Sequence, residues 1–198
     1  MNKIKIRDFI RLFFACLFSF LYIPHLMCYT MLMGGGKIVL KKDVERMLRQ
    51  VKIELPLFFG ILYLLHNNSY FRTLFYYRIG PVMSLLIGWY RPGDRYFSIS
   101  RRTKIGSGIL LNHPYATILN AEKIGDNFIC GHCTTLGAKA TGRPTVGDNV
   151  SLGCSVTIIG NVHIGNNVTI GAGSIVVKDV PDDCVVAGNP ARIIRYKH

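Results

Sequence analysis

Histidine takes and returns a proton near neutral pH without help from its surroundings, so the positions of His113 and His132 decide what chemistry this chain could do. His113 stands two residues after Leu111 and His132 two after Cys130; the same offset recurs at Cys154 after Leu152 and at Ala172 after Ile170. If those apolar residues hold equivalent places in successive coils of a repeat, the four residues behind them stack in one column, about 4.8 Å apart. The histidine end of that column supplies a base, and its small end leaves room for a ligand against the wall. Between Leu136 and Val146 the apolar spacing opens to ten, which extrudes a loop around Ala138 to Pro144 beside the column. Loops on rigid scaffolds are where function concentrates.

The elements that must position these residues are written in a period of six. Val146, Leu152, Ile158, Ile164, Ile170 and Val176 are six apart, and Val150, Val156, Val162, Val168 and Val180 form a second row. Six is neither the helix period nor strand alternation; it marks a solenoid of short stacked strands, three hexads to a coil. Upstream, Ile99, Ile105 and Leu111 keep the spacing, one residue is added before Ile118, and Ile124, Cys130 and Leu136 resume it. Glycine and asparagine at Gly125–Asn127, Gly147–Asn149 and Gly165–Asn167 suit tight corners that require positive φ. The solenoid is thus expected over residues 96–198, with a helical region at 36–95 that ends in the turn Arg91–Asp94.

Residues 1–35 read as an apolar membrane-associating segment. Leu12 to Met33 is a run of twenty-two residues without Lys, Arg, Asp or Glu, preceded by Lys3, Lys5, Arg7 and Arg11. It is long enough to cross a bilayer, and Pro24-His25 in its middle is expected to kink it. A cleaved signal peptide has the same basic start, but no small-x-small cleavage site follows. The aromatic stretches Leu55–Leu65 and Ile79–Tyr90 suit either interfacial helices or a buried helical cap. Charge is uneven: residues 1–104 hold seventeen Lys and Arg against five Asp and Glu, residues 105–198 seven against six. Next to so apolar a segment, that excess suits an anionic membrane surface rather than nucleic acid. Among six cysteines, Cys130-Gly-His-Cys133 has the spacing of a redox motif, but Cys130 falls on an inward position and reads as structural. No second close ligand pair completes a zinc site, so no metal is expected.

Four segments resemble one family: Lys104–His113, Thr135–Gly137, Ile170–Val177 and Ala187–Arg192. Residues 96–195 look like the left-handed parallel β-helix of hexapeptide-repeat acyltransferases, most like serine O-acetyltransferases. The resemblance implies a homotrimer that transfers acetyl from acetyl-CoA to a hydroxyl, the cofactor lying between two solenoids. His113 matches the family's catalytic base. Gly137 or Ala138 would donate a backbone N–H to the oxyanion, Cys154 and Ala172 would line the CoA arm, and Lys178, Arg192 and Arg195 could meet its phosphates. Three departures stand out. Ser98 replaces the carboxylate that orients the histidine, Asn112 replaces an acidic neighbour that holds the serine amine, and Arg143 replaces a second active-site histidine. His113 is then left to a backbone carbonyl, Glu122 or Asp126 for its orientation. A site short of two negative charges suits a saccharide better than an ammonium-bearing amino acid, with Asn112, Arg143 and His132 toward the acceptor. His132 reads equally as a surface histidine, and His163 as exposed. The expectation is an O-acetyltransferase of polysaccharide synthesis on the cytoplasmic face of the cytoplasmic membrane; serine O-acetyltransferase is the alternative.

Overall fold

The computed structural model describes residues 6–197 and consists of two compact units, Met1–Asp94 and Arg95–His198. Lys3 and Lys5 lie outside the described residues. The first unit contains α1 (Ile6–Leu17), a 3-10 turn (Ser19–Tyr22), α2 (Ile23–Met31), α3 (Gly34–Gln50), α4 (Leu57–Asn67), α5 (Ser69–Ile79) and α6 (Pro81–Ile87). The kink expected at Pro24 falls earlier, in the 3-10 turn, where α1 and Ser19–Met31 meet at 71°. Pro24 sits in the first turn of α2, where its missing N–H costs no hydrogen bond. No single described helix is long and apolar enough to cross a membrane; only the bent pair passes by length and composition.

Nor does the segment 1–35 stand alone. Tyr22 and His25 are fully buried beside His66, Phe75, Tyr76 and Tyr90, and Gly34–Gly36 open α3. Leu40, Ile61, Leu65, Phe71, Leu74 and Phe75 complete the core of this unit. Asp43 and Arg78, both buried, form an ion pair at 2.9 Å.

The second unit is a parallel β-helix of three faces. The first face stacks β1 (Phe97–Ile99), β4 (Thr117–Leu119), β7 (Thr135–Gly137), β10 (Thr157–Ile159) and β13 (Ile175–Val176). The second stacks β2 (Lys104–Ile105), β5 (Lys123–Ile124), β8 (Thr145–Val146) and β11 (His163–Ile164). The third stacks β3 (Leu110–Leu111), β6 (Ile129–Cys130), β9 (Ser151–Leu152), β12 (Thr169–Ile170) and β14 (Cys184–Gly188), closed by antiparallel β15 (Ala191–Tyr196). Inward residues of the strands, among them Leu119, Ile124, Cys130, Leu136 and Ile158, fill the narrow core, and Val150, Val156, Val162 and Val168 fill it behind the corners.

The corner between the second and third faces shows why the sequence repeats Gly-Asp-Asn. Asn127, Asn149 and Asn167 sit at φ of 56–58°, a left-handed conformation that asparagine tolerates. Each also donates from Nδ2 to the residue above: Asn127 to Asn149 and Asn149 to Asn167 at 3.0 Å, then Asn167 to Asp183 at 2.8 Å. A Cβ on Gly125 would come within 2.2 Å of Asp148 Oδ1 and 2.6 Å of the Gly147 backbone, so close stacking of coils dictates glycine there.

The upstream spacing departs from the expected one. Leu119, fully buried, is the inward residue and pairs with Leu136; Ile118 is 48% exposed. Two residues rather than one are therefore added between Leu111 and the first face, and one fewer separates Leu119 from Ile124.

Candidate active site

The added residues lie in the corner between the third and first faces, at Asn112-His113-Pro114. Counted forward from β3, Leu111 pairs with Cys130 and His113 is level with His132. Counted back from β4, the level residue is Tyr115. The Cys133 N–H donates to Tyr115 O at 2.8 Å, as Ser155 N does to His132 O and Gly173 N to Cys154 O. The left-handed residues Ala116, Cys133, Ser155 and Gly173 follow the same register. The column is accordingly Tyr115, His132, Cys154 and Ala172, and His113 is displaced from it onto a bulge. That bulge is defined by φ of 50° at His113 and a 2.6 Å bond from Tyr115 N to His113 O. His113 and His132 are both exposed, Asn112 and Cys154 partly so, while Pro114 is buried and roots the bulge. Tyr115 was not among the expected site residues. Its ring packs on Tyr96 with centroids 5.0 Å apart, forming an aromatic wall below His132. The hexad count from the downstream side takes Ile118 as inward and points to Pro114; the pairing of Leu119 with Leu136 is what places Tyr115 there.

The loop does not lie beside this corner within one chain. Ala138 to Arg143 form a small hairpin at the next corner, between the first and second faces. Paired Lys139 and Gly142 close it with bonds of 2.9 and 3.0 Å, Gly142 at φ of 131°. Gly160 leaves space for Lys139 and Thr141 to fold against it. The expected residues thus divide between two corners. His113, His132, Cys154 and Ala172 share one; Gly137, Ala138, Arg143 and Lys178 share the other, separated by the strands of the first face. Arg192 lies on β15, opposite Ala187, and like Arg195 is exposed. Ser98 projects outward from β1 beside Ile118.

Both carboxylates considered as partners for His113 are committed elsewhere. Asp126 Oδ1 accepts from the backbone N–H and hydroxyl of Ser107, at 2.5 and 3.0 Å, within the corner ladder. Glu122 pairs with Arg143 across the loop corner. Arg143 keeps a second donor, Nη1, which is buried and without a hydrogen-bond partner. His163 is exposed on the second face, its Nδ1 2.9 Å from the Thr145 hydroxyl. Among the described residues, no cluster of three or more His, Cys, Asp or Glu is arranged to hold a metal ion.

The two cysteines of the tetrapeptide differ sharply. Cys130 is fully enclosed on β6, and burial pushes its thiol up to about 12; Cys133 is exposed at the corner. A thiol acid that weak stays protonated at working pH and does not act as a nucleophile. In the folded protein at pH 8, Cys133 is therefore expected to react with a disulfide reagent and Cys130 only after unfolding. Peptide mapping by mass spectrometry checks this; equal labelling rates for the two would refute it.

Residues 143–178 match the bacterial transferase hexapeptide (six repeats) model. The solenoid thus carries the hexapeptide repeat of bacterial transferases. It is similar to serine O-acetyltransferases. Serine acetyltransferase 4 of Arabidopsis thaliana is 45% identical over 98 residues, 47% of this chain and 28% of that protein. A putative colanic acid biosynthesis acetyltransferase, WcaB of Escherichia coli K12, is 38% identical over 101 residues, 49% of this chain and 62% of that protein. The crystal structure of the serine acetyltransferase from Brucella abortus strain S19, an enzyme also solved with coenzyme A, superimposes with a TM-score of 0.66. It is 25% identical, covering 82% of this chain and 70% of its own. The chain thus spans less than two thirds of the curated relatives it matches. The matched stretches amount to about half of the chain.

Proposed function

We propose that the hexapeptide domain transfers acetyl from acetyl-CoA to a hydroxyl of a saccharide in cell-surface polysaccharide synthesis. His113 is the general base: it takes the hydroxyl proton as the oxygen attacks the thioester carbonyl, and returns it to the sulfur as CoA leaves. A backbone N–H at Gly137 or Ala138 meets the oxyanion. The division of the site between two corners supports a homotrimer, in which the loop corner of one copy completes the histidine corner of the next. Cys154 and Ala172 then flank the CoA arm, with Lys178, Arg192 and Arg195 toward its phosphates.

Charge at the site carries the choice of acceptor. Serine brings an ammonium group, yet Ser98 and Asn112 are neutral, Asp126 and Glu122 are engaged, and Arg143 Nη1 stands as an unused donor. Hydroxyl or carboxylate oxygens of a sugar suit that donor; an ammonium does not. WcaB, a putative colanic acid biosynthesis acetyltransferase, agrees with a saccharide acceptor, while the serine acetyltransferases among the relatives favour serine as the second reading.

CoA release measured with L-serine and with a panel of sugars and lipid-linked saccharides tests the choice. The saccharide reading fails if serine is the acceptor with the highest kcat/KM. Arg143→Ala is expected to raise the acceptor KM about ten- to a hundredfold with a smaller effect on kcat. Glu122→Gln, which removes only the ion pair, should leave that KM near its original value. An equal rise in both variants would reduce Arg143 to a structural role.

A further inference from the structure

The helical unit is built inside out. In α1 the helical period places Ile6, Phe9, Ile10, Phe13 and Leu17 on one face, with Asp8 and Ala15 on the opposite one. The apolar face is the exposed one, at 48–80%, while Asp8 and Ala15 are buried at 6% and 0%. Inside, Asp8 is approached by the Tyr63 hydroxyl at 3.5 Å and Arg11 at 3.9 Å. A helix lying on a water-soluble protein has the reverse arrangement. The inversion recurs in α2, which turns Ile23, Met27 and Met31 outward and buries Cys28 and His25, the latter 2.8 Å from the Tyr76 hydroxyl. Val82, Leu85, Leu86 and Trp89, along α6 and just past it, form a third outward stripe at 61–79% exposure.

We infer that these faces seat the unit in one leaflet of an anionic bilayer, as a monotopic anchor lying in the plane of the membrane. Length decides between lying and crossing. The twelve residues of α1 extend about 18 Å against a hydrocarbon core of about 30 Å, and the chain turns 71° at their end. Charge decides between lipid and a second copy of the chain. Arg7 and Arg11 rim α1 with side chains 71% and 48% exposed, and Lys41 and Lys42 are exposed on α3, while Asp8 and Asp43 are buried. The unit holds thirteen Lys and Arg against five Asp and Glu. A second copy would set like charges against each other; anionic headgroups neutralise them while acyl chains take the phenylalanines.

Trp89 is the only tryptophan of the chain, so its emission reports on this surface without any substitution. The full-length protein, exchanged from detergent into vesicles of phosphatidylglycerol and phosphatidylcholine, should float with them. Its emission should shift to the blue and be quenched by chain-brominated lipid. Binding should weaken about tenfold on phosphatidylcholine alone, and in high salt. Phe9→Ser/Phe13→Ser/Leu17→Ser should lower vesicle affinity about a hundredfold while far-ultraviolet circular dichroism is retained. Flotation and emission are read without acetyl-CoA, so their outcome is independent of the acetyl-transfer reading. Trp89 unquenched by brominated lipid, or shielded in lipid-free assemblies larger than a trimer, would overturn the proposal in favour of a protein partner.

Discussion

Replacing His113 with alanine is expected to lower kcat/KM for acetyl transfer about a hundred- to ten-thousand-fold, the usual contribution of a positioned general base. The loss should fall on kcat, with the KM for acetyl-CoA little changed, because the residues expected along the CoA arm lie in higher coils. His113 is exposed and holds no part of the core, so the substitution should leave the solenoid folded. Its backbone is left-handed, a conformation alanine adopts poorly, and the control must separate strain from lost basicity. His113→Asn does so: asparagine tolerates positive φ but cannot act as a base near neutral pH. Both variants should be equally inactive. If His113→Asn keeps more than about a tenth of the activity, less than the usual effect of a general base, the role of His113 is wrong.

Leu119→Ala is expected to destabilise the solenoid by about 2–5 kcal/mol, and Ile118→Ala by about 1 kcal/mol or less. Leu119 is fully enclosed, and its loss leaves a void in a core only one side chain deep per face; half-exposed Ile118 leaves none. Urea denaturation midpoints of the two variants decide it. The hexad spacing read from the sequence ranks the pair the other way, so a larger effect at Ile118 would restore that register and return His113 to the column.

Legibility varied with the range of the forces involved. The rows ending at Val176, the Gly-Asp-Asn corners and the structural reading of Cys130 were visible because each is set by a residue and its counterpart one coil away, at a constant spacing. The bulge was not. Pattern alone sees that residues were added between Leu111 and the next strand, and it took Ile118 for the inward residue because Ile118 lies six before Ile124. Strand pairing chose Leu119, and the extra length went to Asn112-His113-Pro114. Tyr115 was missed for the same reason. The spacing shows that the loop is extruded but sets it beside the histidines, because a one-dimensional count does not say which of three corners a segment turns.

The amino-acid sequence by itself determined that half of this chain is a coiled stack of short strands and that the other half is apolar and basic. Both follow from composition and period, which are local. The tertiary structure alone decided which of two adjacent aliphatic residues enters the core, that His113 stands on a bulge over Tyr115, and that the expected site residues divide between two corners. It also decided that α1 buries its aspartate and presents its phenylalanines. Those outcomes depend on pairing and packing between residues far apart in the chain, where a shift of a single position exchanges inside for outside.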